Sequence, residues 1–273
     1  MKQLRASELI VNNDGSVYHL GLLPDQLYDT VITVGDPDRV QAVSKHFDEV
    51  HFTVHNREFK TVGGTFRGKN ITVLSTGIGT DNIDIVFNEL AFLLNYNLET
   101  LQQNDELRSI DIIRLGTSGS ISHANELGSI VYSKAAISFD DLFQFYHHDF
   151  DSVQFDHRTF PVIPCSSTLE AKFKEYSPSI TLTAKGFYGP QFRNAQLAPK
   201  YTLDSLQKVV YEGQTPGNIE METAGIYGMS ALLGFEAISI NAILANRITG
   251  EFCENANEII ERMITECLEV ICQ

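Results

Sequence analysis

The chain of 273 residues contains no uninterrupted apolar run near the ~20 residues that a membrane-spanning helix needs. Its first residues, MKQLRASELI, lack the long apolar core of a secretory signal. The four cysteines, Cys165, Cys253, Cys267 and Cys272, show no Cys-x-x-Cys spacing, so a reduced, cytoplasmic protein is expected. Metal-ligand spacing is absent as well, and the adjacent His147 and His148 in FYHHDF are expected at the surface rather than on a metal. Positive charge is scarce: 20 Lys and Arg face 35 Asp and Glu, a formal net charge of -15. That excludes a broad nucleic-acid surface but leaves room for a local basic pocket around a small anion. No repeat, low-complexity tract or linker interrupts the chain, so one domain over 1–273 is expected.

With 43% hydrophobic and 20% charged residues, the chain should bury a proper core. Short β-rich runs recur: TVITVGDP (30–37), NITVLSTGIG (70–79), DIIRLGTSG (111–119), GSIVYSKAAIS (128–138) and EAISINAILAN (236–246). Helical spacing marks 82–96 and 221–234, with Gly234 placed to end the latter, and 254–272 reads as a terminal amphipathic helix. Strands alternating with helices predict an α/β fold with a mixed or parallel central sheet. Such sheets bind ligands at the carboxyl ends of their strands, where the glycine turns of the first three runs fall.

The run DIIRLGTSGSI sets a cation, Arg114, where a central strand should be apolar, and follows it with what reads as a bare, hydroxyl-rich turn. It is neither a nucleophile elbow, which needs Gly-x-Ser-x-Gly, nor a Walker loop. Arg114, the Thr117 hydroxyl and loop amides could converge on an anion, or Arg114 could sit in a structural ion pair. In VGDPDRV the Asp-Pro step reads as a turn, with Arg39 either at the surface or, together with the Gly35 amide, facing an anion at a strand end. STGIGTDN offers Gly-x-Gly between strand and helix, but Asn82 stands where the dinucleotide fingerprint needs its third glycine. In NIEMETAG, Glu220 and Glu222 either compensate a helix N-terminus or, if extended, share a face on which a carboxylate could grip a vicinal diol. GFYGPQFRN reads as a surface loop or as a base-recognition segment, with Phe187 to stack, Gln191 to donate and accept, and Arg193 to donate.

Taken together, these segments resemble the nucleoside phosphorylase superfamily, and within it the uridine phosphorylases. The similarity runs from VYHLGL (17–22) to the last helix, with GDPDRV, NREF (56–59), STGIG, RLGTSG, FYGPQFR, EMET and LANR (244–247) in register. It implies a single domain with a central mixed β-sheet or distorted barrel flanked by helices. The implied reaction is the reversible phosphorolysis of uridine to uracil and ribose 1-phosphate. That is a pentosyl transfer of pyrimidine salvage, with inorganic phosphate as co-substrate and no cofactor. The catalytic set would be Arg114, Gln191, Arg193 and Glu222. Phosphate would be held by Gly35, Arg39, Arg114 and Thr117, with Arg57 from a neighbouring subunit. Ribose would meet Glu222, Met221 and Arg114, with the neighbour's His19 near the 5′-hydroxyl. The base would meet Phe187, Gln191 and Arg193, in a pocket lined by Gly119, Leu244 and Ala245, and Arg247 would brace the base-recognition loop.

The resemblance also implies a homo-oligomer with shared sites, a dimer at least and a hexamer in the bacterial pattern. Some relatives hold a monovalent cation between subunits. For K+ here, Glu58 and Asn82 would be the side chains, although GTDNIDI differs from the GGPSTSI type of loop in familiar bacterial members. The aspartate that purine phosphorylases place near the purine N7 is matched by Asn246, which favours a pyrimidine. Residues 98–108 read as a surface elaboration. The competing readings are a purine nucleoside phosphorylase, a phosphate-independent nucleosidase, a non-catalytic nucleoside binder and, weakened by Asn82, a dinucleotide-dependent oxidoreductase.

Overall fold

The computed structural model describes residues 2–273. The strands are β1 (Thr30–Val34), β2 (Glu49–Asn56), β3 (Phe59–Phe66), β4 (Lys69–Ser75), β5 (Tyr96–Asn97), β6 (Gln102–Gln103), β7 (Asp111–Ser120), β8 (Ile130–Phe139), β9 (Asp151–Phe155), β10 (Arg158–Pro164), β11 (Ser177–Ala184), β12 (Asn218–Glu220), β13 (Glu236–Asn246) and β14 (Glu251–Phe252). The helices are α1 (Pro37–Ser44), α2 (Thr80–Asn95), α3 (Ser167–Phe173), α4 (Thr223–Leu233) and α5 (Ala256–Ile271). All strands except β5 and β6 join one mixed sheet of twelve. The expected α/β fold with a mixed sheet is what forms. Within it β8, β11, β12, β7 and β13 pair in a ring that closes from β13 back to β8, making a barrel. From β7 the sheet extends through β1, β4, β3 and β2, while β10 and then β9 add onto β8, and β14 onto β13.

The strands that reach the centre are rich in β-branched residues, and β1, TVITV, is buried at every position. β1 runs parallel to β4 and β7, and β7 parallel to β13. Their carboxyl ends therefore open on the same side, where Gly35, the Thr76–Gly79 loop, Thr117–Gly119 and Leu244–Ala245 meet. Helix α5 lays Ile259, Met263, Ile264, Cys267, Leu268 and Ile271 on the core, steps of one, three and four residues that keep one face inward. Burial of each such side chain stabilises by about 1.5–3 kcal/mol. Helix α4 stops at Gly234, which takes the left-handed conformation that a side chain would oppose.

Two readings need correction. The stretch Gly116–Ser120 is not a turn but the second half of β7, paired along its length with β13. Asp36-Pro37 is not a turn either. Asp36 caps α1 by accepting from the Asp38 amide, and Pro37 occupies the first turn, where its missing N–H costs nothing. Residues 98–108 are mostly exposed and include β6, which pairs with β5 in a small hairpin held to the N-terminal residues through Leu4 and Lys2. His147 and His148 are exposed. Among the described residues no helix is long and apolar enough to cross a membrane.

Candidate active site

A cavity of about 520 Å³ opens at the carboxyl ends of β1, β7 and β13. At its floor lies Arg114, almost fully buried in the middle of β7. A lone buried guanidinium would be very costly, and here the cost is offset by partners on every side. Nη2 donates to Glu222 Oε2 at 2.6 Å and lies 2.9 Å from Glu220 Oε2. Nη1 donates to Asn241 Oδ1 at 2.8 Å and to Ser239 Oγ at 3.3 Å. Burial alone would push this guanidinium down, but Glu220 and Glu222 outweigh it and the net shift is upward.

Gly116 explains the bare residue beyond the arginine. A Cβ there would lie 1.7 Å from Arg114 Nη1 and 2.3 Å from Cζ. The guanidinium lies back along its own strand, in the space that a side chain two residues on would fill. Sequence reading missed this role and the roles of Ser239 and Asn241. Their signal was present: two polar residues at alternate positions of an otherwise apolar strand share one face, and Ser239 pairs in register with Arg114.

The two glutamates do different things. Glu220 stays on the protein: it accepts from the amides of Glu222 and Thr223, which open α4, and from the Thr183 hydroxyl at 2.6 Å. It thus satisfies helix donors that would otherwise be orphaned. Glu222 faces the cavity. One oxygen takes the Gly79 amide at 2.8 Å and the other takes Arg114. Gly79 reaches it from a left-handed conformation, φ +88°. Burial and the neighbouring Glu220 raise the Glu222 carboxyl, while Arg114 and the Gly79 amide lower it, leaving it above its ordinary range. An ionised carboxylate offers more acceptor sites than these two donors fill, so it can still take hydroxyl donors from the cavity.

At one end of the cavity stand Gly35, Arg39 and Thr117. Among the described residues Arg39 has a single side-chain hydrogen bond, a long 3.5 Å one to Leu115 O. Burial and the nearby Arg114 both lower its pKa. It is the cation left most free to meet an anion. At the other end are Gly119, Phe187, Gln191, Arg193, Leu244 and Ala245, and Met221 lines the wall between. Gln191 is buried, and Arg193 donates to its Oε1 and to Phe187 O. The Arg193 guanidinium covers one face of the Phe187 ring, 3.6 Å from its centroid, so only the other face is open for stacking. Burial and Arg247 push Arg193 down to about 10, which still leaves it cationic at neutral pH. Arg247 Nη1 donates to the Gln191 carbonyl at 3.1 Å.

A family model described as the phosphorylase superfamily matches residues 29–271. The chain belongs to that superfamily. The uridine phosphorylase of Thermococcus kodakarensis is 26% identical over 263 residues, covering 95% of this chain and 88% of that protein. A DeoD-type purine nucleoside phosphorylase of Clostridium perfringens is also 26% identical over 263 residues, covering 92% of this chain and 95% of the other. A solved nucleoside phosphorylase of Trypanosoma brucei, described as showing uridine phosphorylase activity, superposes with a TM-score of 0.88 at 25% identity, over 97% of this chain and 99% of that one. Names for pyrimidine and purine nucleosides thus occur at the same identity, and identity alone does not choose the base.

In this phosphorylase-superfamily chain, the remaining site candidates lie outside the cavity. His19 is half-buried, and its Nδ1–H donates to Glu89 at 2.6 Å. Arg57 sits exposed at the β2–β3 turn with φ +56°, its guanidinium 5.4 Å from the Tyr18 ring centroid. Asn82 Nδ2 points to Glu58 Oε1 at 3.4 Å. One carboxylate and one amide do not by themselves build a cation cage, and among the described residues no group of three or more His, Cys, Asp and Glu does so. Asn246 is used structurally: its Oδ1 accepts from the amides of Ile248 and Thr249. A larger cleft, about 960 Å³, lies across the 187–193 segment and is lined by Phe155, Phe160, Phe192 and Tyr201 among others. Its cations Arg158, Lys185 and Lys200 are paired with Asp141 and Asp156. The smaller cavity is the candidate site because buried, converging charges face it.

Proposed function

We propose that this chain catalyses the reversible phosphorolysis of uridine to uracil and ribose 1-phosphate. The observation that carries the reading is the two-ended cavity. A free cation, Arg39, stands at one end, the amide–guanidinium pair Gln191–Arg193 at the other, and the Glu222 carboxylate lies between them. Phosphate would sit on Gly35, Arg39, Arg114 and Thr117. The ribose hydroxyls would meet Glu222, beside Met221. The base would lie against Phe187, with its carbonyls on Gln191 and Arg193, between Gly119, Leu244 and Ala245.

This set suits displacement at the anomeric carbon. As the glycosidic bond breaks, positive charge develops on the ribose and negative charge on the base. Phosphate held close stabilises the first, and Gln191 with Arg193 stabilises the second. Holding both reactants in one cavity supplies a further part of the rate. No covalent intermediate is required. Within one chain, Arg39 and Arg114 are balanced by Glu220 and Glu222. A second copy lending Arg57 would add positive charge for a dianionic phosphate, and its His19 would stand near the 5′-hydroxyl. The enzyme would then be a homo-oligomer of at least two chains.

The Asn246 side chain is occupied by a turn, which supports a pyrimidine over a purine reading. The test is to incubate the purified protein with uridine or inosine, with and without phosphate, and follow free base. Uracil released only with phosphate, and little hypoxanthine, is the expected result. Hypoxanthine in excess would make the chain a purine phosphorylase. Release without phosphate would make it a nucleosidase and would overturn the phosphate roles of Arg39, Arg57 and Arg114.

A further inference from the structure

Behind the cavity runs a chain of buried polar side chains that neither the fold nor the reaction just described accounts for. Ser133, Thr181, Asn218 and Asn241 are completely buried in the barrel wall, and all are polar. They connect in sequence. Arg114 Nη1 donates to Asn241 Oδ1. Asn241 Nδ2 meets Ser133 Oγ at 3.0 Å, Ser133 Oγ meets Thr181 Oγ1 at 2.6 Å, and Thr181 Oγ1 meets Asn218 Oδ1 at 2.9 Å. Asn218 Nδ2 then meets Ser118 Oγ at 2.9 Å, and Ser118 lines the cavity. The chain thus leaves the cavity at Arg114 and returns to it at Ser118.

Its direction follows from which groups can donate. Arginine only donates, so the Asn241 atom facing it is the oxygen and the amide nitrogen faces Ser133. Ser133 accepts there, and its own hydrogen needs an acceptor because the group is fully buried. Thr181 is the acceptor within reach, so Thr181 must spend its hydrogen on Asn218. The Asn218 atom facing Thr181 and Ser179 is therefore the oxygen, which also takes the Ser179 hydroxyl at 2.7 Å. Turning that amide over would leave the Ser133 hydrogen with no acceptor. Asn218 accordingly donates to Ser118, and the Ser118 hydrogen remains for the cavity. Each bond polarises the next in the same sense, starting from a guanidinium.

We propose that Asn241, Ser133, Thr181 and Asn218 form a one-way hydrogen-bond relay that fixes the Ser118 hydroxyl as a donor to an oxygen of the bound substrates. Asn218 and Asn241 are then positioning residues, and Ser118 is a binding residue. The acceptor is an oxygen of either the phosphate or the nucleoside. The inference rests on the phosphorolysis reading only for the names of those substrates.

The experiment measures KM for phosphate at saturating uridine and KM for uridine at saturating phosphate, in wild type, Ser118→Ala, Ser118→Thr and Asn218→Asp. Loss of one hydrogen bond corresponds to a rise of about five- to tenfold in one of the two KM values for Ser118→Ala. Which value rises identifies the acceptor. Ser118→Thr restores most of that loss. In Asn218→Asp a carboxylate oxygen faces Ser118 and takes its hydrogen, so the same KM rises although residue 218 is sealed from the cavity. Should Asn218→Asp not fold, as judged by its thermal transition, the double variant Ser179→Ala with Thr181→Val removes both donors to Asn218 Oδ1, frees that amide to turn over, and is expected to raise the same KM. The proposal is overturned if Ser118→Ala leaves both KM values unchanged. It is equally overturned if the folded relay variants raise neither KM or raise the other one. Wild-type protein inactive on uridine would refute the functional reading instead. Calorimetric binding of inorganic phosphate and of uridine to the same proteins would then decide the relay by the same pattern.

Discussion

Gly116→Ala should be among the most damaging single-methyl changes in this chain. The new Cβ would lie 1.7 Å from Arg114 Nη1, less than half an ordinary contact distance, and 2.7 Å from Nη2. Such overlaps are cheap when they meet the loose end of a flexible side chain. This end is not loose, because Asn241, Ser239, Glu222 and Glu220 hold it inside the barrel. Relief requires the guanidinium to leave its carboxylates. Breaking a buried ion pair from one side costs about 3–5 kcal/mol, a large share of the 5–15 kcal/mol that typically holds a domain together. With a urea slope near 3 kcal/mol per M, the midpoint should drop by about 1–1.7 M. The displaced arginine should also cost about 100-fold in kcat/KM, since Glu222 loses the group that orients it. Urea denaturation followed by circular dichroism, and uracil release at saturating phosphate, measure the two effects. A variant within about 0.2 M and twofold of wild type would show that Arg114 is not seated where its partners place it.

Two further outcomes follow from other parts of the molecule. Asp140, just after β8, is buried with Oδ2 unpartnered, and burial raises its carboxyl to about 6. A carboxyl raised on folding binds more protons in the folded state, so its stabilising contribution is full below about pH 4 and lost as pH rises through about 6. Asp140→Asn keeps an acceptor for the Leu142 amide and removes the ionisation. It should be more stable than wild type by about 3 kcal/mol at pH 8 and equal to it near pH 4, by thermal or urea melts. Equal stability at pH 8 would refute it. Gln191→Ala should lower kcat for uridine by about 100-fold or more while leaving KM for phosphate nearly unchanged, as expected for a donor that acts on the leaving base. A change confined to KM for phosphate would place Gln191 at the wrong end of the cavity.

The sequence pattern was most legible where one local rule was enough. β1, β4, β7, β8 and β13 were visible as β-branched runs, and α5 as a helical stripe, because each depends on neighbours within a few residues. The β2–β3 and β9–β10 hairpins were not visible. β2 is exposed or half-buried at every position, so it has no apolar signature, and its turn uses Arg57 with positive φ where Gly or Asn would normally mark it. β9 alternates in burial, but its turn carries Asp156 with φ +56° rather than a glycine. Helix α1 was hidden for the opposite reason. Its Asp-Pro start carries the N-cap and first-turn signals of a helix and was read only as a turn.

The residues that face the cavity were legible as motifs, but the reasons for them were not. The motif puts an arginine, then two residues later a glycine, on a strand that is buried throughout its centre. Read as a loop, Gly116 suggests an open backbone that an anion can approach. Read as a strand, the same spacing says something different, because residues two apart point to the same face. An arginine on a closed face has nowhere to extend except along its own strand, and the first side chain it would meet is the one two residues on. A glycine there is the condition for burying the charge at all. The carboxylates it needs must then come from neighbouring elements, as Glu220 at the end of the adjacent β12 and Glu222 at the start of α4 do, and two such carboxylates so close together are tolerable because the guanidinium lies between them and helix amides bind Glu220. Arg114, Gly116, Glu220 and Glu222 are therefore one unit: exchanging any one strands a buried charge in the others, and the 2.6 Å hydrogen bond between Arg114 and Glu222 ties the strand β7 to the start of α4 across the cavity floor.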